Sequence, residues 1–241
     1  MFDHVTIRVS NRAVSEGFYD LVLGVIAIDQ THAGEHFTEW DDFSLTEASA
    51  WNPVTRGVHV GFGAPSRERV DEFWRVGVDA GFDSDGEPGP RTEYGDDYYG
   101  GFLLDPDGNS VEAVHFEDVR RGVDHLWIRV HDVEASKRFY ETIAPHARLT
   151  KSTETPERVQ FVGDGAGSFS VLSGDHETEN LHMAFPAKAN AAVDDFHRAA
   201  MEAGYRDNGQ PGERGAYHPG YYSAYVLDPD GHNVEVVSHN R

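Results

Sequence analysis

The chain contains two spacings of apolar residues, one typical of strands and one typical of helices. In residues 5–9 apolar and polar side chains alternate, which predicts a β-strand with one buried face. Residues 13–23 then carry apolar side chains at helical spacing, and Gly24 stands where a helix C-cap is expected. Three short alternating runs broken by turn residues follow, including residues 43–45. The pattern predicts a unit of one strand, one helix and three strands.

The same unit is predicted four times. Residues 58–62 form a strand before a helix at about 67–80, which Gly81 closes. Residues 126–130 and 181–185 begin the third and fourth units, whose helices contain Phe139-Tyr140 and about residues 188–203. We expect these modules at about 1–50, 57–117, 122–174 and 180–239. Solenoids have repeats of similar length, so the period alone does not decide the fold.

The four modules fall into two similar halves. Residues 98–116 (YYGGFLLDPDGNSVEAVHF) reappear at 221–239 (YYSAYVLDPDGHNVEVVSH), with ten of 19 positions identical. The strand DHVTIRV, which begins at Asp3, reappears as DHLWIRV at Asp124. The sequence therefore predicts a tandem repeat of two domains, residues 1–121 and 122–241, with no Pro/Gly-rich linker between them.

Polar side chains occupy one face of the predicted strands in both halves. Because side chains alternate across a strand, these groups lie opposite the apolar set that faces the helix. They are His4, His59 and Glu112 in the first half and His125, His182 and Glu235 in the second. A carboxylate within an apolar strand is costly to desolvate unless it is paired or bound to a cation. This pattern predicts one divalent metal ion in each half.

The donor set limits the metals that such a site would take. Two imidazoles and one carboxylate suit Fe(II), and they serve Mn(II), Zn(II), Ni(II) or Co(II) nearly as well. A single strand histidine more often hydrogen-bonds a backbone carbonyl. The recurrence favours a site, because His59 and Glu112, like His182 and Glu235, are separated by 53 residues. The chain has no cysteine, which excludes Cys-bound metal, disulfides and thiol catalysis.

The turn before each final strand is also repeated. The tetrapeptide Asp105-Pro106-Asp107-Gly108 returns as Asp228-Pro229-Asp230-Gly231. Proline suits the φ angle of a type I turn, and glycine suits the position where the chain reverses. We interpret these aspartates as structural, since the turn brings the last strand and its Glu back towards the other polar residues.

Composition narrows the class of protein. With 39% hydrophobic and 12% aromatic residues, the chain has the composition of a globular protein. No stretch approaches the roughly 18 apolar residues of a membrane span and no targeting segment is indicated, so we expect a cytoplasmic protein. The net charge of −22 argues against nucleic acid or membrane partners. An acidic chain with three lysines fits a halophilic source and equally an ordinary acidic bacterial protein from a GC-rich genome.

In its four repeated modules and its two sets of polar strand residues, the sequence resembles the vicinal-oxygen-chelate superfamily. This superfamily includes glyoxalase I, bleomycin-resistance proteins and extradiol dioxygenases. The resemblance covers nearly the whole chain twice and implies an α+β fold, in which pairs of βαβββ modules form cupped mixed sheets around a metal. The implied ligands are His4, His59 and Glu112 in one domain and His125, His182 and Glu235 in the other. Glyoxalase-like members add a fourth ligand, and here Ser44 and Ser170 stand in its place. That departure favours a three-ligand site.

The second half also resembles the extradiol dioxygenase signature, although Ala224 replaces a larger apolar residue. By this resemblance His218 would be an acid/base group and Tyr225 would hydrogen-bond a substrate oxyanion. For Tyr221 and Tyr222 we expect cross-strand packing.

The first half departs from that signature at both catalytic positions. Gly95 stands where the second half has His218, and Phe102 stands where it has Tyr225. We therefore expect activity mainly in the second half. The equivalent Arg91 and Arg214 would attract an anionic substrate or, more simply, form surface salt bridges.

The resulting hypothesis is a metal-dependent enzyme, extradiol-dioxygenase-like or a glyoxalase-like isomerase or lyase, that binds the vicinal oxygens of a small substrate. The alternative is a non-catalytic protein that sequesters a ligand in the manner of bleomycin-resistance proteins, and a third possibility is a fusion with one degenerate domain. We expect a monomer or homodimer. The sequence does not identify the substrate or the metal.

Overall fold

The computed structural model describes residues 1–165 and 167–240, so Arg241, the last residue of the second expected domain, lies outside the described residues. Module 1 contains β1 (His4–Val9), α1 (Arg12–Val25), β2 (His32–Ala33), β3 (Phe37–Trp40) and β4 (Phe43–Glu47). Module 2 contains β5 (His59–Gly63), α2 (Arg67–Asp79), β6 (Ser84–Pro90), β7 (Tyr99–Leu104) and β8 (Ser110–His115). Module 3 contains β9 (Val123–Arg129), α3 (Val133–Ala147), β10 (Leu149–Thr155), β11 (Arg158–Gly163) and β12 (Ser168–Leu172). Module 4 contains β13 (His182–Pro186), α4 (Asn190–Glu202), β14 (Arg206–Glu213), β15 (Tyr222–Leu227) and β16 (Asn233–Ser238). The predicted α+β fold of four βαβββ modules is confirmed.

The helices begin where side chains cap their first turns. The side chains of Asn11, Ser66 and Asp132 accept hydrogen bonds from backbone N–H groups at the starts of α1, α2 and α3. The prediction that Gly24 caps α1 is wrong, because the helix continues to Val25. The chain reverses instead at Ala27, whose φ of 62° is left-handed.

The sixteen strands form two eight-stranded mixed sheets. The strand order is β14-β15-β16-β13-β1-β4-β3-β2 in one sheet and β10-β11-β12-β9-β5-β8-β7-β6 in the other. The first therefore joins modules 1 and 4, and we call it the terminal sheet. The second joins modules 2 and 3, and we call it the central sheet. Each sheet takes one module from each half of the sequence.

The junction of each sheet is an antiparallel pair of first strands. In the terminal sheet β1 pairs with β13, with Val5 opposite Met183. In the central sheet β5 pairs with β9, with Val60 opposite Leu126. The sheets therefore do not follow the expected domains 1–121 and 122–241. Alternation along a strand shows which face is buried, but it does not show which strand lies at its edge.

Helices and turns connect the two modules within each half. The rings of Phe18 and Phe82 lie 4.7 Å apart, and those of Phe139 and Tyr205 lie 4.8 Å apart. Each half thus coheres through its helix layer while it shares both sheets with the other half.

The turn aspartates have the structural role expected of them. The Asp105 carboxylate accepts hydrogen bonds from the backbone N–H groups of Asp107 and Asn109, and from the Tyr19 hydroxyl at 3.0 Å. Asp228 accepts the same kind of bond from Tyr140 at 2.9 Å. These carboxylates fix the turn in front of each final strand and fasten a helix of the preceding module to it.

Among the described residues, no helix combines the length and apolar composition that crossing a bilayer requires.

The acidic composition leads to a prediction about salt. With a net charge of −22, self-repulsion acts against the compact state most strongly when the Debye length is about 30 Å, at 0.01 M salt. We expect the thermal unfolding midpoint to rise steeply as KCl increases to molar concentrations, as measured by circular dichroism. A midpoint that stays constant would indicate that the charge is well tolerated at low salt, as in an ordinary acidic protein.

Candidate metal centres

The two sheet junctions each gather two histidines and one glutamate. His4, His182 and Glu235 meet in the terminal sheet, and we call this cluster the terminal site. His59, His125 and Glu112 meet in the central sheet, and we call this cluster the central site. The six residues expected to bind metal are thus brought together in two sets of three. The expected grouping within each half is wrong, because β1 and β9 each pair with a first strand of the other half.

The donor atoms within each cluster have nearly equal separations. In the central site His59 Nε2 lies 3.0 Å from His125 Nε2, and both nitrogens lie 3.1 Å from Glu112 Oε2. In the terminal site the corresponding distances are 3.1 Å between the imidazoles and 3.2 and 3.5 Å to Glu235. Donor atoms about 2.1 Å from one ion and at right angles lie about 3.0 Å apart. Both clusters therefore fit three ligands on one face of a divalent ion.

The Nδ1 atoms of the four histidines all face polar groups. His4 Nδ1 lies 2.9 Å from Asp3 Oδ1, and His125 Nδ1 lies 3.0 Å from Asp124 Oδ2. A carboxylate can only accept, so in both rings Nδ1 carries a hydrogen, and Nε2 would become a metal donor once any proton on it is displaced.

The other two imidazoles have uncharged partners. His59 Nδ1 lies 2.9 Å from Ser110 Oγ, which itself donates to Asp85. The side-chain amide of Asn233 lies 2.6 Å from His182 Nδ1. These contacts orient all four rings with Nε2 towards the other donors.

The central site holds its charges in a buried environment. Burial alone would raise the pKa of Glu112, but hydrogen bonds from His125 and His59 lower it to about 2. Burial would lower the pKa of His125, but hydrogen bonds with Asp124 and Glu112 raise it to about 9. Burial lowers the pKa of His59. The glutamate is therefore an anion at neutral pH.

The terminal site has the same electrostatic pattern. Burial would raise the pKa of Glu235, yet the hydrogen bond to His182 and the charge of His4 lower it. Burial would lower the pKa of His4, yet Asp3 and Glu235 raise it, whereas burial lowers the pKa of His182. The terminal site thus offers one carboxylate and one neutral imidazole, and metal binding would displace the proton from any imidazole Nε2 that carries one.

The two clusters differ in their exposure. The side chains of His4 and His182 are 21% and 12% exposed, whereas those of His59 and His125 are 6% and 5% exposed. The sites also differ at one strand position beside the histidines, where the central site has Trp127 and the terminal site has Thr6.

The Trp127 ring covers the central histidines. Its centroid lies 4.8 Å from that of His59 and 5.5 Å from that of His125, and the Arg158 guanidinium carbon lies 4.9 Å from the Trp127 ring centre. Thr6 is bound instead to Ser44 at 2.7 Å and is too small to cover its site. The central site is therefore closed and the terminal site is open.

This difference predicts unequal metal release. In protein loaded with two equivalents, we expect a chelator to remove the ion of the terminal site on the order of tenfold faster than the ion of the central site. The Trp127→Thr variant should release both ions rapidly, because it copies the residue of the open site. Stopped-flow absorbance with a chromogenic chelator measures the two phases. A slow phase that Trp127→Thr leaves unchanged would show that the ring does not control access.

Of the two expected catalytic residues, Tyr225 lies beside the terminal site and His218 is linked to it through His239 and Asp3. Tyr225 is opposite Glu235 in the strand register, and its ring lies 6.3 Å from that of His182. Ser223 donates a hydrogen bond of 3.0 Å to the Tyr225 oxygen. Burial and the Glu235 charge raise the Tyr225 pKa, so the hydroxyl keeps its proton at neutral pH. The central site has Phe102 at this position, opposite Glu112.

His218 lies in the segment between β14 and β15. Its Nδ1 lies 2.8 Å from the carbonyl oxygen of Pro219, and its Nε2 lies 2.8 Å from Nδ1 of His239. Its ring also contacts Tyr221, with centroids 5.4 Å apart. In this structure both ring nitrogens are therefore hydrogen-bonded within the protein.

The structure adds residues that sequence reasoning assigned to packing or passed over. The hydroxyl of Tyr221 donates to Glu235 at 2.8 Å, and that of Tyr98 donates to Glu112 at 2.9 Å. The expectation that Tyr221 only packs is therefore wrong. Tyr222 faces the helix side of the sheet, where its hydroxyl donates a hydrogen bond to Asp194. The signal was present, because a tyrosine precedes each glutamate by 14 residues.

The two equivalent arginines lie over the aromatic rings beside the glutamates. The guanidinium of Arg91 is 5.2 Å from the Phe102 ring centre, and that of Arg214 is 5.4 Å from the Tyr225 ring centre. Each also donates to a backbone carbonyl, of Glu87 or of Gln210. In residues 1–165 and 167–240 neither arginine forms the surface salt bridge that we expected.

Comparison with known proteins shows the family. The family model described as Glyoxalase/Bleomycin resistance protein/Dioxygenase superfamily matches residues 1–113 and 122–236. The chain belongs to this superfamily. A search of curated proteins gives no match. The two matched ranges agree with the tandem repeat of the sequence, while the sheets of this superfamily member are shared between the repeats.

Solved structures share the fold over the whole chain. Glyoxalase I from Zea mays is 19% identical with a TM-score of 0.71, and the match covers 99% of this chain and 92% of that one. A protein described as a candidate dioxygenase from Bacillus subtilis subsp. subtilis str. 168 is 14% identical with a TM-score of 0.67, covering 100% of this chain and 85% of that one. At these identities the likeness shows the superfamily fold alone.

Proposed function

We propose that the terminal site is the active site of a metal-dependent enzyme that acts on a small substrate with vicinal oxygens. The observation that carries this proposal is the exposure of its histidines, since Thr6 leaves them open where Trp127 covers those of the central site. A substrate can approach only a ligand set that has an open side.

His4, His182 and Glu235 would hold the divalent ion, with identity among Fe(II), Mn(II), Zn(II), Ni(II) and Co(II). When bound, the ion supplies Lewis-acid chemistry, which chelates vicinal oxygens and stabilises negative charge on them. Tyr221 holds the Glu235 carboxylate through its second oxygen, Oε1, and Asp3 holds His4. These contacts keep the donor set in place before a substrate arrives.

Two further side chains act on the substrate in this proposal. Tyr225 keeps its proton and receives a hydrogen bond from Ser223, so its O–H, which also contacts Glu235, would turn to donate to a substrate oxyanion. His218 would exchange a proton with the substrate, once the segment between β14 and β15 brings an imidazole nitrogen to it. Phe102 and Gly95 offer neither group at the central site.

The reaction class that we favour is extradiol-dioxygenase-like. A fourth protein ligand would favour a glyoxalase-like isomerase or lyase, but Ser44 is hydrogen-bonded to Thr6 in the place expected for that ligand. With only His4, His182 and Glu235 to hold the ion, the site would leave room for a substrate that binds through vicinal oxygens.

The test begins with the metal. Protein purified without a chelating column is analysed for its elements, stripped, and reconstituted with Fe(II) under anaerobic conditions. Catechols are then added with O₂ and ring cleavage is followed by absorbance, while α-ketoaldehydes are offered in parallel to the Ni(II) and Zn(II) forms. Turnover that requires the ion supports the proposal, and the successful arm identifies the reaction class.

A non-catalytic sequestering protein is the competing function. It predicts tight binding of an aromatic or peptide ligand by metal-free protein, with no turnover in any arm. Calorimetry with the stripped protein separates the two, because an enzyme of the proposed kind binds its substrate through the ion.

A further inference from the structure

A chain of hydrogen bonds leads from the segment over the terminal site to one of the proposed ligands. His218 Nε2 lies 2.8 Å from His239 Nδ1, and His239 Nε2 lies 2.7 Å from Asp3 Oδ2. The other oxygen of Asp3 lies 2.9 Å from His4 Nδ1. These hydrogen bonds therefore link residues 218, 239, 3 and 4, which come from both ends of the sequence.

The directions of these bonds follow from which groups can accept. The Asp3 carboxylate only accepts, so His239 Nε2–H and His4 Nδ1–H both donate to it. Burial would raise the pKa of Asp3, but its contacts with His4 and His239 lower it, which keeps it ionised at neutral pH. The imidazoles of His239 and His4 thus both bond the Asp3 carboxylate. Each bond restricts the orientation of the carboxylate that the other imidazole contacts.

The same assignment of donors and acceptors applies at His218, the other end of this series of hydrogen bonds. The carbonyl oxygen of Pro219 only accepts, so His218 Nδ1 carries a hydrogen. At 2.8 Å, His218 Nε2 and His239 Nδ1 are within hydrogen-bond distance, and this contact ties the two rings together.

The central site has only the last link of this chain. Asp124 accepts from His125 as Asp3 accepts from His4. In place of His239 the central site has Phe116, which stacks on Tyr98 with an interplanar angle of 17°, and in place of His218 it has Gly95. The fold therefore accommodates Phe at this position, and the histidine is not needed for packing.

We infer that His239 is a positioning residue of the terminal site, which acts through Asp3 to orient His4 and through His218 to hold the segment between β14 and β15 at the site. This inference rests on the proposed function, because it explains how His218, the proposed acid/base group, is held near the proposed metal ligands. Asp3 and His239 touch neither substrate nor reacting atoms, so their effect is on alignment.

Three variants separate the two arms of the chain. His239→Phe copies the central site and removes both bonds. His239→Gln keeps an N–H donor near the position of Nε2 for Asp3 but has no ring nitrogen at the position that contacts His218. His218→Gly copies Gly95 and removes only the bond to the segment.

The readouts do not depend on turnover. The Zn(II) dissociation constant of each site is measured by competition with a chelator, and amide hydrogen exchange of residues 214–221 is measured in metal-free protein. His239→Phe should weaken the terminal site about 10–100-fold, as expected for loss of an outer contact to a ligand histidine, and leave the central site unchanged. It should also speed exchange in the segment. His239→Gln should restore zinc affinity, and His218→Gly should speed exchange without changing zinc affinity.

Wild-type zinc affinity and wild-type exchange in His239→Phe would overturn the inference, as would equal weakening of both sites. Failure of the proposed function looks different. If the protein turns over no substrate, or binds no metal, the exchange measurements on the metal-free variants still decide whether His239 holds the segment.

Discussion

Replacing His4 and His182 together by Ala is expected to remove one metal equivalent and leave the second fully bound. The two residues are neighbours in the terminal site, with Nε2 atoms 3.1 Å apart, although 178 positions separate them in the chain. Glu235 alone cannot hold a divalent ion against bulk water. The central site keeps all three ligands, so elemental analysis of the purified variant should give one equivalent where the wild type gives two.

The matched control is a pair from one sequence half. His125 and His182 lie in different sites, so replacing both by Ala leaves each site with only one imidazole and one carboxylate. We expect both ions to be lost on dilution. If this variant kept one firmly bound ion while the His4 and His182 variant lost both, the ligands would be grouped within the halves, contrary to the strand pairing.

The second large effect is expected at the glutamates. Glu235→Gln should abolish turnover of any catechol or α-ketoaldehyde that the wild type accepts, because it removes the anionic ligand of the open site. Glu112→Gln makes the same chemical change at the closed site and should leave turnover nearly unaffected. Steady-state rates with saturating metal measure both. Equal losses would mean two equivalent active sites and would contradict the proposed asymmetry.

His218→Ala extends this comparison to the acid/base group. We expect metal content to stay at the wild-type level and kcat to fall roughly 10²–10⁴-fold, the usual contribution of a positioned acid or base. A variant with normal turnover would remove His218 from the proposed chemistry without affecting the assignment of the ligands.

Much of the fold could be predicted because it depends on local patterns. The alternation around His4, with Val5 and Ile7 buried on the other face, correctly placed the imidazole opposite the helix-covered side. Repetition then extended each local interpretation to four modules. The same reasoning selected all six residues that the structure gathers into two clusters.

The pairing of modules could not be predicted in this way. His59 and His125 are equivalent members of two repeats, and nothing in either strand distinguishes a partner in its own half from one in the other. Nor could the sequence predict that Trp127 covers the central site. Trp127 was visible in the sequence on the same strand face as His125, but its contact with His59 depends on that same crossed pairing.

The pairing of modules from different halves of the sequence also sets an order in which the two sheets can form during synthesis. Every strand of the central sheet lies between β5 and β12, so this sheet can close when the ribosome has passed residue 172. The terminal sheet must wait for β16, about 60 residues and roughly 3–12 s later at ordinary elongation rates. Until then β13 exposes the edge that β16 will occupy, and the nascent chain carries a complete central site beside a terminal site that lacks Glu235. The terminal site is thus completed after the central site, because it depends on the strand that carries Glu235.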